Sequence, residues 1–343
     1  MMFPDRCYQI LTRIKAKGHA VSSLVMAPCG GVSNPYIGYG LGTVSQLIRA
    51  MRNDVDVFLA DKVETGLFSL ICKKLRGRPF VFDFIDYYVE IARDGEERLR
   101  PYYTSYLEKT VPKFADHVIV VIEPFKNRLN ALGVPEDKIT VIPNGADTLR
   151  FNPNVNGREI REKYNLQSDL LIVYVGKIEP CYHLDVIVKA ASLVHKNEPS
   201  SKFLFVGTGR ALNDLKALAK KLGNSDWIIF TGFQPYERIP NFVGAADVTV
   251  FPHPSGIAVH EYMACGKPIV KVRAEMGDVL EHLKSGFLVE RRTPENFAKG
   301  ILTLLSDRGL SNKLGVNARK LAVEKYDWET LTERYLEVLK SVC

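Results

Sequence analysis

The residues best suited to chemistry follow a short apolar run, Val248–Phe251, which predicts a buried strand. The strand leads into the loop Pro252–Gly256, and a helix begins near Ile257. Because the first amides of a helix lack internal partners and carry its positive dipole end, this arrangement predicts an anion site. Glu261, just over one turn into the helix, is placed to accept hydrogen bonds from sugar hydroxyls. An ordinary strand–helix turn with a dipole-stabilised glutamate explains the same spacing.

The letters around Glu261 resemble a known signature. HEYMACGKPIV, which ends at Val270, is similar to the second half of the E-x7-E motif of retaining nucleotide-sugar glycosyltransferases of the GT-B fold, family four. The resemblance implies that Glu261 holds the nucleotide ribose. His253 stands where the family has its first glutamate, near the donor sugar. The contacts to that sugar are therefore expected to differ from the family pattern.

Two further stretches resemble the same family in the same order. Ile142–Pro153 is similar to the junction between the family's two domains. Tyr174–Val194 is similar to its V-G-R-L segment, where Gly176 keeps its place and Lys177 replaces the usual arginine. The family's Lys-Gly pair becomes Tyr182-His183. Tyr182 offers one hydroxyl donor in place of a cation, and the following histidine either supplies a charge when protonated or simply starts a helix.

The next two strand ends also resemble the family, over Phe203–Arg210 and Phe230–Phe233. The similarity runs from roughly Phe80 to the C-terminus and is strongest in the second half of the chain. The donor-binding residues that it implies are Gly176, Tyr182, Gly207, Phe233, His253, Gly256, Ile257 and Glu261.

Lys177 is the leading candidate for a catalytic residue. Transfer from a nucleotide-diphosphate sugar builds negative charge on the leaving phosphate, and a fixed cation with preorganised N–H donors stabilises that charge. Lys177 follows a predicted strand, and the amides of Gly256 and Ile257 would assist it. A surface lysine after a strand is the alternative. Glu261 is grouped with Lys177 as a candidate catalytic residue.

A third candidate catalytic residue is Asp86. Pro79–Glu90 predicts a strand followed by Asp83-x-x-Asp86, and it resembles the family's P-x-x-x-D-x-H-D segment with Ile85 in the place of the histidine. We expect Asp86 to contact sugar or acceptor hydroxyls, or to receive the acceptor proton. Its alternative role is a helix N-cap.

No metal or other cofactor is expected beyond the nucleotide-diphosphate sugar that serves as co-substrate. Asp54-x-Asp56 has the spacing of a metal-binding pair, but it precedes a strand rather than ending one, and we interpret it as a turn. Enzymes of the GT-B fold do not usually require a metal.

Two features of the first half concern the acceptor, expected to be a glycan, a lipid-linked molecule or a small molecule. The uncharged loop Asn34–Gly42 carries Tyr36 and Tyr39, which either stack on a sugar or lie on an ordinary surface loop. A basic cluster either touches anionic lipid headgroups or is a solvated helix end; its members are Lys73, Lys74, Arg76 and Arg78.

The elements that position these residues alternate between apolar strands and helical segments. This pattern predicts an α/β protein with two doubly wound Rossmann-like domains that face a central cleft. We expect an acceptor-side domain over 1–147, with Thr148–Asn165 as a linker. A nucleotide-sugar donor domain covers 148–325, and a C-terminal helix over 326–343 crosses back to the first domain. The first domain opens on a helix over Met1–Lys17, so it lacks its opening strand or the start is misassigned. The predicted strands are Ala20–Ala27, Val55–Ala60, Pro79–Phe84, Val118–Ile122, Ile139–Ile142, Leu171–Val175, Phe203–Val206, Trp227–Phe230, Val248–Phe251 and Pro268–Val272.

Composition limits the class of protein. The 343 residues are 46% hydrophobic and carry a net charge of +7, typical of a globular protein of two domains. The charge forms no basic arm, so nucleic acid is not an expected partner. Six distant cysteines without a C-x-x-C pair favour reduced, mostly buried thiols. No signal peptide or spanning segment is visible, so we expect a cytoplasmic protein, with peripheral contact at the inner face of the membrane left open.

Two other functions compete with glycosyl transfer. Gly207-x-Gly209 suggests a nicotinamide-dependent oxidoreductase, but the stretch lacks a third glycine and no acid follows it by ~20 positions at a strand end. A non-catalytic relative that binds a sugar or nucleotide is suggested by His253, Tyr182 and Ile85, which depart from the family pattern.

Overall fold

A computed structural model describes residues 5–21, 54–86, 88–89, 100–274 and 278–343. The chain divides into two compact units. The smaller unit consists of Cys7–Pro143 and Leu331–Cys343, and the larger unit consists of Met1–Arg6 and Asn144–Thr330.

The smaller unit contains a parallel sheet whose described strands lie in the order β1-β2-β3-β4. Strand β2 reads FVFDF and is buried along its whole length, as expected for a strand covered on both faces. As far as residue 143, the chain forms α1 (Arg6–Ala16), β1 (Phe58–Ala60), α2 (Val63–Arg76), β2 (Phe80–Phe84), α3 (Arg100–Phe114), β3 (His117–Val120), α4 (Glu123–Ala131) and β4 (Ile139–Val141).

The larger unit begins its regular structure after residue 157, and one last helix ends the chain. Its α-helices and strands are α5 (Arg158–Lys163), β5 (Leu170–Val175), α6 (Asp185–Asn197), β6 (Ser201–Val206), α7 (Leu212–Lys221), β7 (Ile228–Gly232), α8 (Ile239–Ala245), β8 (Val248–Phe251), α9 (Ile257–Ala264), β9 (Ile269–Val272), β10 (Phe287–Val289), α10 (Pro294–Ser306) and α11 (Arg308–Lys325), followed by α12 (Trp328–Val342).

The strand order in the larger unit locates its ligand crevice. The sheet is parallel, with the order β7-β6-β5-β8-β9-β10. The chain builds outward from β5 in one direction and then returns to start again at β8 on the other side. This reversal between neighbouring strands is the topological switch point, and ligands of open α/β sheets bind beyond the carboxyl ends of the strands there. We therefore expect ligand contacts from the segments that follow β5 and β8.

The predicted alternation of strands and helices is confirmed for the described parts of both units, with strand bounds that shift by up to three residues. Strand β10 was not predicted because its three residues, Phe287–Val289, give too short an apolar run to distinguish from a loop. The predicted strand Ala20–Ala27 and the loop with Tyr36 and Tyr39 lie outside the described residues, apart from Ala20 and Val21.

The predicted linker Thr148–Asn165 is wrong. Phe151 and Ile160 are fully buried in the core of the larger unit, and α5 forms within this segment. The asparagines that suggest a loop instead close local turns, because the side chain of Asn152 accepts from the Asn154 amide at 3.0 Å. Turn residues alone did not distinguish a packed connection from a flexible one.

The expectation of mostly buried thiols is also wrong. Of the five described cysteines, only Cys72 and Cys265 are buried, whereas Cys181 and Cys343 are exposed. Within the described ranges, no helix combines the length and the apolar character needed to span a membrane.

Candidate functional site

Two glycines bring the ends of β5 and β6 together. Gly176 follows β5 with φ +155°, and its N–H donates to the carbonyl of Val206 at 3.0 Å. A Cβ atom on Gly207 would lie 1.9 Å from the carbonyl oxygen of Gly176. Any side chain at Gly207 would therefore separate the two strand ends, which explains the glycine at this position.

Lys177 extends from this rigid base. The hydroxyl of Tyr174 donates to the Lys177 carbonyl at 2.7 Å, and the next amide, Ile178, donates to the carbonyl of Thr208 at 3.0 Å. The backbone is thus held on both sides, whereas the Lys177 side chain is exposed. An exposed ammonium on a fixed backbone is well suited to meet an anion.

A second pair of charges lies beside Lys177. The Arg210 guanidinium donates to a carboxylate oxygen of Glu179 at 2.7 Å, which joins the loops after β5 and β6. The hydrogen bond from Arg210 lowers the pKa of Glu179, and the charge of Lys177 adds to this effect. Glu179 is therefore ionised at neutral pH and already has a cationic partner.

The helix after β8 begins against an aromatic ring. Gly256 immediately precedes α9, and a Cβ atom there would lie 2.4 Å from the Phe251 ring. The amides of Gly256 and Ile257 stand at the helix start, where α-helical N–H groups have no partner within the helix. The start of α9 therefore lies beside the switch point, and Lys177 follows the neighbouring strand β5. That these groups bind an anion stays a prediction.

His253 and Tyr182 approach each other across the same crevice. Their ring centroids are 5.0 Å apart, and the ring of Phe251 contacts both. Burial lowers the pKa of His253 below its usual value, with the charge of Arg292 acting in the same direction. His253 is consequently neutral at physiological pH and presents a polar aromatic surface instead of the carboxylate found in the family motif.

His183 lies in a turn and has an environment that favours its neutral form. It lies two residues before α6 with φ 52°, so it belongs to the turn and does not start the helix. Burial and the charge of Arg292 lower the pKa of His183. The ring is therefore neutral at physiological pH.

Glu261 is more enclosed than its predicted role suggests. Its side chain is only 4% exposed, and the hydroxyl of Tyr236 donates to its Oε1 at 2.8 Å. Burial raises the pKa of Glu261 to about 7, although the hydrogen bond from Tyr236 works against this. Phe233, the other predicted residue in this part of the sheet, follows β7 and is 43% exposed.

Arg292 is a charged neighbour that sequence reasoning missed. It precedes Thr293, the N-cap of α10, and its guanidinium lowers the pKa of both His183 and His253. Its Nε atom is buried and reaches no hydrogen-bond partner among the described residues. The available signal was an arginine between the apolar run of β10 and the Thr-Pro start of a helix.

In the smaller unit, two acids at the end of β2, one within the strand and one after it, have different environments. Asp83 lies within β2, is 3% exposed and accepts a hydrogen bond from the hydroxyl of Tyr335 on α12. Asp86 lies beyond the strand and is exposed. Residues 87 and 90–99 are not described, so the N-cap alternative for Asp86 stays a prediction.

Most of the basic cluster is engaged within the protein. Lys73 pairs with Asp116 at 2.8 Å, and Arg78 pairs with Asp54 at 3.1 Å. Arg76 lies 3.9 Å from the same Asp54 carboxylate. Asp54 is thus engaged in ion pairs ahead of β1. The described residues contain no group of three potential metal ligands.

The position of Gly207-x-Gly209 in the sheet argues against a nicotinamide-dependent oxidoreductase. Gly207-x-Gly209 follows β6, whereas the phosphate-binding glycines of a dinucleotide fold lie in the first strand–helix turn, which here follows β5. A Cβ atom on Gly209 would lie 2.3 Å from the carbonyl oxygen of Ile178. These glycines therefore serve loop packing.

Together, the two parallel sheets and the switch point between β5 and β8 define an α/β protein of two doubly wound units. Two family models match, Glycosyltransferase Family 4 over residues 8–150 and Glycosyl transferases group 1 over residues 156–321. The chain belongs to the group 1 glycosyltransferases.

Individual relatives agree with this assignment. An uncharacterized glycosyltransferase of Methanocaldococcus jannaschii is 29% identical, over 65% of this chain and 59% of that protein. A GDP-mannose-dependent alpha-(1-6)-phosphatidylinositol monomannoside mannosyltransferase of Mycolicibacterium smegmatis is 28% identical, over 66% of this chain and 62% of that protein. The matches thus span about three fifths of these curated relatives.

Solved structures establish the GT-B fold over nearly the whole chain. Anabaena HepE in complex with UDP-glucose gives a TM-score of 0.76 at 20% identity, covering 99% of this chain and 90% of that one. Sucrose-phosphate synthase from Thermosynechococcus elongatus gives a TM-score of 0.80 at 17% identity, covering 98% and 92%. The predicted fold class is confirmed.

Proposed function

We propose that this chain transfers a sugar from a nucleotide-diphosphate sugar to a hydroxyl acceptor with retention of the anomeric configuration. The observation that carries the proposal is the crevice at the switch point, where Lys177 and the start of α9 flank the space beyond β5 and β8. A GDP-mannose-dependent relative and a fold neighbour with bound UDP-glucose support this donor class.

In this proposal the larger unit is the donor domain. Lys177 and the amides of Gly256 and Ile257 bind the diphosphate and stabilise the charge that develops on the leaving phosphate. Because the amides at the start of α9 and the backbone of Lys177 are fixed before the reaction, little reorganisation of the backbone is needed when the bond breaks. Tyr182 adds a hydroxyl donor, and His253, as a neutral ring, contacts the sugar.

The remaining donor contacts concern the sheet edge and the ribose. Gly176 and Gly207 allow close approach of the backbone, and Phe233 packs against the nucleoside. Glu261 accepts hydrogen bonds from the ribose hydroxyls. The reaction as proposed uses no metal ion, since lysine and helix amides supply the positive charge.

We assign the acceptor to the smaller unit, where Asp86 contacts the acceptor hydroxyl and receives its proton. The carboxylate of Asp86 is exposed, whereas the carboxylate of Asp83 is buried and contributes to the fold. The acceptor class is a glycan, a lipid-linked molecule or a small hydroxyl compound.

Binding and turnover of candidate donors test the proposal. We expect UDP-glucose or GDP-mannose, but not NAD, to raise the unfolding temperature of the full chain. We also expect slow release of free nucleoside diphosphate, which a suitable acceptor accelerates. If neither nucleotide sugar stabilises the fold, the proposed function is wrong; stabilisation without any release of nucleoside diphosphate would instead indicate a non-catalytic relative.

We further propose that α2 and α3 contact an anionic membrane surface. Leu67, Ile71 and Leu75 are exposed by 41%, 40% and 60% and repeat every four residues along one face of α2. Helix α3 packs against α2 and exposes Tyr102 and Tyr106 by 76% and 68%. Large apolar side chains on one exposed face, next to basic residues, suit insertion at a lipid headgroup region.

Sedimentation with vesicles tests this contact. We expect binding to vesicles with anionic lipid, and Ile71→Glu combined with Leu75→Glu should weaken it about tenfold or more, since each apolar side chain contributes about 1 kcal/mol or more on burial. The matched control is Leu149→Glu in the larger unit, where the side chain is 84% exposed. Equal binding of all three proteins would contradict the membrane contact and leave the transfer reaction unaffected.

A further inference from the structure

The enclosure of Glu261 has a specific cause in the larger unit. Tyr236 lies just before α8, packs its ring 5.7 Å from that of Phe151, and donates its hydroxyl to Oε1 of Glu261 at 2.8 Å. The guanidinium of Arg150 covers the Tyr236 ring with 5.2 Å to the centroid. Arg150 is exposed. A line of contacts thus runs from the surface to the carboxylate.

Each contact restricts the next one. The cation over the ring and the packing against Phe151 fix the plane of Tyr236. A fixed phenol directs its hydrogen at Oε1, and this leaves Glu261 a single orientation in a largely buried position. Burial and the neighbouring Glu261 raise the pKa of Tyr236, so the phenol keeps its proton and always donates.

We propose that Tyr236, held by Arg150, is a positioning residue that orients Glu261 for the ribose hydroxyls of the donor and so sets the preference for a ribonucleotide. The inference rests on the proposed function of Glu261. Nothing in the motif that contains Glu261 specifies Tyr236, which lies 25 residues earlier in the chain. With its Oε1 occupied, Glu261 offers its other oxygen to the ligand.

The charge of Glu261 gives the assignment a pH signature. Burial, assisted by the charge of Asp147, raises the pKa of Glu261 to about 7 against the opposing effects of the Tyr236 hydrogen bond and the Arg150 charge. Tyr262 and Cys265 on its own helix are held neutral by burial, which raises the pKa of each. A protonated Glu261 accepts less well, so we expect ribose preference to fall as the pH drops through about 7.

The test compares a nucleoside diphosphate with its 2′,3′-dideoxy analogue. Dissociation constants for UDP and GDP, and for their dideoxy forms, are measured by calorimetry with the full chain between pH 6 and pH 9. We expect the unmodified protein to prefer the ribose form roughly tenfold, the size of one good hydrogen bond to a charged group. Tyr236→Phe should bring this ratio close to one and should leave the affinity for the dideoxy form unchanged.

Two further variants keep the test decisive. Arg150→Ala removes an exposed side chain and therefore should fold; we expect its ribose preference to be lost at a higher pH than in the unmodified protein. Tyr164→Phe is the matched control, a half-buried tyrosine of the same unit that packs on Phe242. It should leave the ratio unchanged.

The outcomes separate this inference from the proposed function. If neither UDP nor GDP binds the unmodified protein, the proposed function is wrong and the role of Tyr236 falls with it. If one binds with ribose preference and Tyr236→Phe retains that preference while remaining folded, the positioning role alone is overturned. A purely structural tyrosine would weaken both forms of the nucleotide equally.

Discussion

Lys177 and Asp83 both belong to the carboxyl ends of central parallel strands, one in each unit, yet their environments are opposite. Lys177 follows a positive-φ glycine at the end of its strand, and its side chain is exposed. Asp83 is still within its strand and lies under Tyr335, a residue 252 positions later. A strand end therefore offers a functional position only where no other element covers it. The carboxylate of Asp83 contributes to the fold, and the ammonium of Lys177 is available to a ligand.

The largest expected effect comes from substitution of Lys177, the exposed residue of this pair. Lys177→Ala should lower turnover ~100-fold at saturating donor, because it removes a cation that acts mainly in the transition state. Its free energy of unfolding should hardly change. Initial rates of nucleoside diphosphate release and urea unfolding measure the two quantities.

The matched control for this variant is Lys189→Ala. Lys189 is an exposed lysine on α6 that pairs with Asp185 at 2.7 Å. Its loss should leave turnover intact. Near-normal turnover of Lys177→Ala would remove Lys177 from the site and with it the contrast between the two strand ends.

For Asp83, the buried residue of the pair, we expect the reverse: a loss of stability with turnover retained. Tyr335→Phe removes a hydroxyl that donates to the buried carboxylate of Asp83, and we expect a loss of about 2 kcal/mol in the free energy of unfolding. Turnover per folded molecule should stay within a factor of two or so, since the change removes no ligand contact. Urea titration and rates at matched folded fraction test this.

Tyr102→Phe, at a 76% exposed position of the same unit, serves as the control and should be neutral. A variant Tyr335→Phe that kept its stability and lost turnover would place Asp83 in the reaction rather than in the fold.

A smaller effect concerns the pH dependence of stability in the larger unit. Burial lowers the pKa of His260 to about 4, whereas burial raises the pKa of its neighbour Glu261 to about 7. The folded state therefore favours neutral His260, and this stability is present above pH 6.5 and lost as the pH falls toward 4. The contribution of Glu261 has the opposite sign: it is present below pH 4.5 and lost as the pH rises through 7.

His260→Phe keeps an aromatic ring against Tyr326, whose ring lies 5.1 Å away. Taking pH 8 as the reference, we expect this variant to lose less stability at pH 5 than the unmodified protein does, by about 2 kcal/mol or less. Glu261→Gln should show the converse, a gain at pH 8 relative to pH 5. Parallel pH profiles for all three proteins would contradict the buried, neutral state of His260.

The contrast between the strand ends also explains what the sequence could predict. Lys177, Gly256 and Ile257 lie in short local patterns of strand, glycine and helix, which place them after β5 and β8, the two strands at the switch point. Local patterns of this kind could not predict contacts between residues that are far apart in the chain. The Tyr182–His253 ring pair, the Tyr236–Glu261 hydrogen bond and the cover of Asp83 each depend on packing that no local spacing encodes.

The sequence also did not predict β10 or the burial of the segment before α5, and the physical reasons differ. Phe287–Val289 is a strand only because β9 provides its hydrogen-bond partners. The asparagine-rich stretch before α5 looks mobile in composition, yet Phe151 within it is fully buried. The roles assigned to Asp86, Phe233 and the other site residues remain predictions for the experiments above.

The divided composition of the smaller unit has a consequence for biosynthesis. Its chain runs from Cys7 to Pro143 and resumes only at Leu331. During translation, β2 leaves the ribosome long before Tyr335, which covers Asp83, is made. The core of the smaller unit therefore stays incomplete while the larger unit is synthesised. The larger unit can finish folding first. Chaperone contacts during synthesis are therefore expected to concentrate on the part of the protein that appears first.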